Sequence, residues 1–203
     1  MSRLPIVLAS ASPRRKALLE SLGARIEVRP SSAEEFLDGD PVDAAIRNAI
    51  AKRDDVAKGL AAPSLVIAAD TVVVIGEAVL GKPRDLDEAR AMVRSLSNAT
   101  HIVITGVAVV DTGSGKSAEG HESTSVTFSS LTSEEIGAFV QAVKPIDRAG
   151  AYTVDGPGNL LVARYEGCYQ NVLGLPMVRL NMLLRDIGHD LFDYIDPANA
   201  RFL

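Results

Sequence analysis

Four groups of side chains in this 203-residue sequence have the chemistry to handle a charged substrate. The first is Ser10, Ser12, Arg14 and Arg15, in the run Ser10-Ala11-Ser12-Pro13-Arg14-Arg15. Guanidinium forks match phosphate oxygens bidentately, and the start of a helix offers free N–H groups and a positive dipole end to an anion. The second pairs Lys52 with Lys82, the latter in a Gly81-Lys82-Pro83 turn. The third is carboxylate: Glu34 or Glu35 in an acidic stretch, and Asp70 at the end of an apolar run. The fourth is the segment Asp147 to Gly156, which contains Arg148, Tyr152 and Asp155. Together they describe a site in which cations hold a polyphosphate and oxygen ligands hold Mg²⁺ or Mn²⁺, which keep water and bridge phosphates. Such a site neutralises the charge that develops as a phosphoanhydride breaks.

Each group also has a plain structural reading. A lone strand–Ser–Pro–helix is an ordinary capped helix with its arginines in water. Asp70 reads as a metal ligand or general base, and equally as a capped turn or structural hydrogen bond. A carboxylate closing an apolar strand needs a partner in any case, and strand C-termini face the ligand crevice in α/β proteins. Taken alone, Lys52-Arg53-Asp54-Asp55 is a solvated helix face. His101, His121 and His189 form no ligand-spaced pair, so structural roles are expected. There is no Gly-x-x-x-x-Gly-Lys-Ser/Thr and no Gly-x-Ser-x-Gly, so a P-loop and a serine-hydrolase elbow are unsupported.

The elements that must position these groups alternate between strand and helix. Leu4–Ala9 reads as a strand. Ser12 is an N-cap with Pro13 at the first helical position, and the helix over Lys16–Leu22 is closed by Gly23. A short strand over 26–30 and an acidic loop over 31–41 follow. A helix is expected over Pro41–Lys58, then a buried strand Leu65–Ala69 running through Asp70-Thr71 to Ile75. Gly76-Glu77 turns a hairpin back through Val79-Leu80. Asp85…Glu88 and Thr132…Glu135 are capping-box patterns opening helices to about Leu96 and Val143. Between them lie a strand over His101–Val109, a turn at 112–115 and a second strand ending in Ser125–Phe128. After a glycine-rich segment over 144–158 come a strand Leu160–Tyr165, a turn at Gly167 and a helix from about Pro176 to Ile187. The tail over 189–203 has little pattern. The expectation is a single α/β domain over 1–203, with two lobes sharing one long, mixed, twisted sheet.

Bulk properties narrow the partners. Net charge is −5 and tryptophan is absent, which disfavours polynucleotides and anionic lipid. No apolar run approaches the ~20 residues that span a bilayer. The first apolar run is short and followed by Arg-Arg, unlike a secretion signal. A single cysteine, Cys168, excludes an intrachain disulfide and a cysteine-based zinc site. A cytoplasmic setting is expected.

Six blocks resemble the Maf family, in the family's order and over about nine-tenths of the chain. They are Leu8-Ala9-Ser10-x-Ser12-Pro13-Arg14-Arg15, Ala68-Ala69-Asp70-Thr71-Val72-Val73, Leu80-Gly81-Lys82-Pro83, His101-x-Val103-x-Thr105-Gly106-Val107, Asp147-Arg148-Ala149-Gly150-Ala151-Tyr152 and Asn171-Val172-x-Gly174-Leu175-Pro176. The resemblance implies a nucleoside triphosphate pyrophosphatase splitting the α–β bond, a divalent cation, a two-lobed fold with a central cleft like that of inosine triphosphatases, and a homodimer. It places Ser10, Arg14, Arg15, Lys52 and Lys82 on phosphates, with Ser12 in the same grip. Glu35 falls at a position for metal or phosphate, and Asp70 at the catalytic base and metal neighbourhood. The pairs Arg14-Arg15 and Asp70-Thr71 resemble the dTTP/UTP branch, where the 7-methyl-GTP branch has Trp-Arg and Asp-Gln. One departure bears on base choice. The pyrimidine branch reads Ala-Tyr-Gly-Ile-Gln-Gly, whereas this chain has Asp155 in place of the glutamine. A carboxylate only accepts hydrogen bonds, which suits guanine N1–H and N2–H₂ better than the mixed edge of uracil or thymine. The alternatives are a pyrophosphatase for 7-methyl-GTP or other non-canonical purine triphosphates, and a nucleotide-binding regulator of cell division without turnover.

Overall fold

The computed structural model describes residues 3–201. One mixed sheet contains β1 (Ile6–Leu8), β2 (Ile26–Val28), β3 (Leu65–Ile75), β4 (Ala78–Leu80), β5 (Thr100–Asp111), β6 (Ser117–Phe128) and β7 (Val162–Glu166). The order is β2-β1-β3-β5-β6-β7, and β4 pairs with β3 off this path. β1 runs parallel to β2 and β3, while the remaining pairings are antiparallel. The helices are α1 (Pro13–Glu20), α2 (Pro41–Lys58), α3 (Leu86–Leu96), α4 (Ser133–Val143), α5 (Tyr169–Val172) and α6 (Met177–Asp186). This is the elongated mixed α/β sheet with flanking helices that the sequence leads one to expect.

β3 organises the cleft. One edge pairs with β5 from Leu65 to Val74. The other pairs with β1 at Leu65–Ile67 and with β4 at Val73–Ile75. Among the described residues no strand covers Ala68–Val72 on that second edge. Side chains alternate along a strand, so Asp70 and Thr71 leave this gap on opposite faces. The larger core lies on the Thr71 face, where Leu65, Ile67 and Val73 pack with Leu19 of α1, Val93 of α3 and Leu180 of α6. On the Asp70 face, Val66 and Ala68 meet Val56 of α2, and Val72 meets Ala45.

α2 forms where its ends and its stripe say it should. Asp40 caps it by accepting from Val42 N and Asp43 N at 2.9 and 3.1 Å, and Pro41 takes the first position. Ala45, Asn48, Ala49, Lys52 and Val56 recur at helical spacing and are all buried against the sheet. The approach is close because Gly106, the cross-strand partner of Asp70, has no side chain. A Cβ there would lie 2.3 Å from the backbone carbonyl of Ala45.

Some local expectations change. The box at α4 is complete, with Thr132 and Glu135 bonded reciprocally. At α3, Asp85 caps Asp87 N and Glu88 N, but Glu88 reaches one residue further back, to Arg84 N at 2.6 Å. The strand expected from Leu160 starts at Val162, since 156–160 form a 3₁₀ turn. The tail is not a loose appendage. Leu191 and Tyr194 are buried, Tyr194 Oη donates to Leu4 O at 3.1 Å, and Arg201 N donates to Ser21 O at 3.0 Å. The helix at 13–20 stops short of the expected Leu22, and Gly23, at φ +81°, fits under the backbone of Asp196 and Ala200.

Gly106→Ala forces α2 away from the sheet. Overpacking of this kind costs about 1–3 kcal/mol. The denaturation midpoint should fall with the denaturant slope unchanged, and any catalytic activity should fall with it because Asn48 and Lys52 ride on α2. An unshifted midpoint would show that the close approach is dispensable.

Candidate active site

The gap in the β3 edge opens into a cleft of about 380 Å³. The start of α1 brings Ser10, Ser12, Arg14 and Arg15 to it, and the acidic loop brings Glu35. α2 contributes Lys52, the free edge of β3 contributes Asp70 and Thr71, and the turn after β4 contributes Lys82. Arg148 and Tyr152 close the far side. Of the residues singled out in the sequence for the site, Glu34 and Asp155 are outside this lining, so Glu35 is the acid of the loop that reaches the cleft. Asp155 is exposed and accepts a hydrogen bond from Thr153 Oγ1.

At one end two carboxylates share an ammonium. Lys52 Nζ lies 2.6 Å from Asp70 Oδ1 and 2.7 Å from Glu35 Oε1. Asp70 is 6% exposed and Lys52 8%, so this charge pair sits largely outside water. Asn48 Nδ2 donates to Asp70 Oδ2 at 2.8 Å, and Lys82 Nζ lies 3.1 Å from Glu35 Oε2. All four carboxylate oxygens therefore face N–H donors. Burial works against ionisation of Glu35, but hydrogen bonds and charge from Lys52 and then Lys82 hold its carboxyl at about 2. Asn48 also brackets Phe36, accepting from its N at 3.0 Å and donating to its O at 2.9 Å. It thereby joins the acidic loop to Asp70. Sequence reasoning passed over Asn48, whose signal was its place four residues before Lys52 on the same helix face.

On the opposite face of β3 the chemistry is structural. Arg15 donates from Nε to Gly174 O at 2.7 Å, from Nη1 to Ser10 Oγ at 3.0 Å, and from Nη2 to Thr71 Oγ1 at 2.9 Å. Thr71 and Thr105 hydroxyls meet at 3.0 Å, and Thr105 donates to Asn171 O at 3.2 Å. Gly174, at φ +99°, keeps this junction open, for a Cβ there would lie 3.3 Å from Arg15 Nε. Three of five guanidinium N–H groups are thus spent on the protein. Ser12 does cap α1, with its hydroxyl 3.5 Å from Arg15 N.

Behind Tyr152, His101 is buried and donates or accepts through Nε2 to Tyr152 Oη at 2.8 Å. Burial pushes its pKa down to about 4, and it stacks edge-on with Phe128 and Tyr152. This is a prop, in keeping with the structural role expected of the histidines. Only the second half of the charged run on α2 meets solvent. Lys52 and Arg53 are buried, and Asp55 Oδ2 accepts from Ser31 Oγ and Ser32 N at 2.7 and 2.8 Å, pinning the start of the acidic loop.

Lys52→Met leaves Asp70 without its counter-ion and should cost ~3 kcal/mol. Adding Asp70→Asn should return more than half of that loss, which a double-mutant cycle by denaturation measures. Additive losses would mean the pair is not coupled. For Glu35 the folded carboxyl lies below its ordinary value of 4.5, so its contribution is full above pH 4.5 and is lost as pH falls toward 2. The difference in melting temperature between the parent and Glu35→Gln should shrink across that window.

Known proteins resemble this chain along most of its length. A family model described as Maf-like protein matches residues 5–187. A relative from Moorella thermoacetica named dTTP/UTP pyrophosphatase is 45% identical over 194 residues, covering 95% of this chain and 98% of its own. One of the same name from Pelotomaculum thermopropionicum is 43% identical over 187 residues, covering 92% and 98%. Among solved structures, the Staphylococcus aureus Ham1 protein aligns with TM-score 0.43 and 16% identity, covering 61% of this chain and 71% of its own. With a family model spanning most of its length and relatives above 40% identity over nearly all of it, the chain belongs to the Maf family.

Proposed function

We propose that this protein is a nucleoside triphosphate pyrophosphatase acting on dTTP and UTP, which adds water across the α–β phosphoanhydride and releases a nucleoside monophosphate and pyrophosphate. The observation that carries this reading is the meeting of Arg14, Lys52, Lys82, Glu35 and Asp70 in one cleft of a chain whose relatives bear that name.

A divalent cation, Mg²⁺ or Mn²⁺, is part of the proposal. Among the described residues no group of three or more His, Cys, Asp and Glu side chains is placed to hold a metal by protein alone. Glu35 and Asp70 nonetheless fit a cation shared with substrate. The Lys52 ammonium already stands within 2.7 Å of both, and Mg²⁺ is commonly held by one or two carboxylates together with substrate phosphates. Those two residues would hold it, and when bound it supplies charge neutralisation at the phosphoryl oxygens.

The chain's own groups do the rest. Ser10, Ser12 and the N–H groups at the start of α1 receive phosphate oxygens. Lys52 and Lys82 exchange their carboxylate partners for phosphate, which frees Asp70 Oδ1 to take the proton of the attacking water. Arg15 keeps the α1 start, Thr71 and the Gly174 loop in register while its remaining N–H groups face the substrate. Asp155 acts, in this reading, on a base reaching the mouth of the cleft. The proposal includes a homodimer and a cytoplasmic setting; no helix among the described residues is long and apolar enough to cross a membrane.

Incubation with canonical and modified triphosphates should yield monophosphate and pyrophosphate, and Asp70→Asn should lower kcat by ~100-fold or more with KM changed little. Diphosphate and orthophosphate as products would overturn the bond assignment, and binding without turnover would favour a regulator. Asp155→Gln should raise the preference for dTTP and UTP over guanine triphosphates by ~10-fold. An unchanged substrate ranking would remove Asp155 from base selection.

A further inference from the structure

The five cations of the cleft are not in the same condition. Lys52 and Lys82 are paired with carboxylates, and Arg15 is hydrogen-bonded to three protein oxygens. Arg14 has neither a hydrogen bond nor an ion pair from its guanidinium among the described residues, although it is half-buried. Arg148 is similar. Its Nε and Nη1 are shut off from solvent without a hydrogen-bond partner, and its only ion pair is a loose one, Nε to Asp147 Oδ1 at 3.3 Å.

A buried guanidinium whose N–H groups lack acceptors is held at a cost. Arg14, half-buried in the same cleft, adds like-charge repulsion. Burial and then the neighbouring charge of Arg148 lower the pKa of Arg14, with Asp155 and Asp147 opposing. The backbone that presents Arg148 is firmly set. Gly150 N donates to Gly81 O at 3.1 Å, and Gly150 and Ala151 both adopt left-handed conformations, at φ +68° and +57°. Ala151 in that region carries a strain of roughly 1–2 kcal/mol. Structure is therefore invested in holding Arg148 where two of its enclosed nitrogens have no hydrogen-bond acceptor.

We propose that Arg148 and Arg14 form a two-arginine anion grip, and that the pair takes a phosphate group of the substrate between them. The inference rests on the reading of the cleft as a triphosphate site and adds a contact residue that the family resemblance does not assign. A phosphate oxygen between the guanidinia gives both charges a counter-ion in the cleft they line. Binding therefore relieves repulsion as well as adding charge-assisted hydrogen bonds. Asp147, mostly in water, stays beside the pair and limits the local excess of positive charge.

The test uses inorganic pyrophosphate as the probe, in metal-free buffer, with calorimetry and thermal melting on the full chain. Arg148→Gln should weaken pyrophosphate binding by ~10–100-fold. Arg148→Lys should restore part of it. The ligand-free melting temperature of Arg148→Gln should be unchanged or higher, because a cation with enclosed N–H groups that lack acceptors has been removed from beside Arg14. A merely structural arginine gives the opposite result, a lower ligand-free melting temperature with a proportionate loss of binding. Pyrophosphate binding within twofold of the parent, or none by the parent itself, overturns the proposal. If the parent hydrolyses no triphosphate yet binds pyrophosphate in an Arg148-dependent way, the functional reading fails and the grip stands. Hydrolysis by the parent with pyrophosphate binding indifferent to Arg148 gives the reverse.

Discussion

Asp70 is an ionisable side chain at the bare edge of a central strand, almost removed from water, and isolation of that charge would cost several kcal/mol. The fold answers from one helix face. Lys52 supplies the counter-charge and Asn48 the second donor, so neither carboxylate oxygen is left unmatched. For that face to reach Asp70, α2 must lie nearly in contact with the β5 backbone, which Gly106 and Ala45 permit. The same two α2 side chains fix the acidic loop, through Phe36 and Glu35. A single solvation requirement thus sets the helix position, the loop position and the identity of the residues that face the cleft.

The next residue along the strand solves a different problem. Thr71 points to the other face, into a chain of hydrogen bonds running from Asn171 O through Thr105 to Arg15 and Ser10. These link the last third of the sequence to the first turn of α1. Strand alternation therefore places a carboxylate site and an arginine-centred clamp back to back around one gap. Arg15 illustrates why residue type alone does not assign a role. A guanidinium beside a serine-rich turn at a helix start looks like a ligand contact, yet most of its donors tie that turn to β3 and the Gly174 loop.

Local signals carried most of the architecture. Asp40-Pro41, Asp85 and Thr132 each stop the chain from continuing its previous conformation and satisfy orphan N–H groups, so the starts of α2, α3 and α4 are plain in the residues. The alternating or continuous apolar runs of β3 and β5 are equally direct. What local reading misses depends on distant neighbours. Lys52-Arg53-Asp54-Asp55 looks solvated throughout until the sheet and the acidic loop close over Lys52 and Arg53. The tail lacks periodicity because Leu191 and Tyr194 are anchored singly, with hydrogen bonds returning to Leu4 and Ser21. α5 is one turn long, too short for a helical period to register. In the site, Arg14, Glu35, Lys52, Asp70 and Lys82 were legible as types and are brought together by the fold. The paired or unpaired state of each is a tertiary property that no spacing encodes.

That state gives the cleft a direction. Its lining carries five cations and three carboxylates, a local positive excess on a chain whose net charge is −5. Charges further than about 8 Å away are largely screened at physiological salt, so the overall negative charge does little to repel an anion already at the mouth. Inside, the Asp70 end is balanced, with every carboxylate oxygen facing a donor, whereas the excess resides at Arg14, Arg15 and Arg148, which have only Asp147 among them. An incoming anion gains most where charge is uncompensated and least where it must first break ion pairs. If the cleft takes a polyphosphate as proposed, the unbalanced end is the place of first capture, and the balanced end is opened only by a ligand that can offer Lys52 and Lys82 replacement oxygens. A long polyanion meets both conditions at once and a single small anion meets only the first, so the distribution of pairing within the cleft itself discriminates by ligand length.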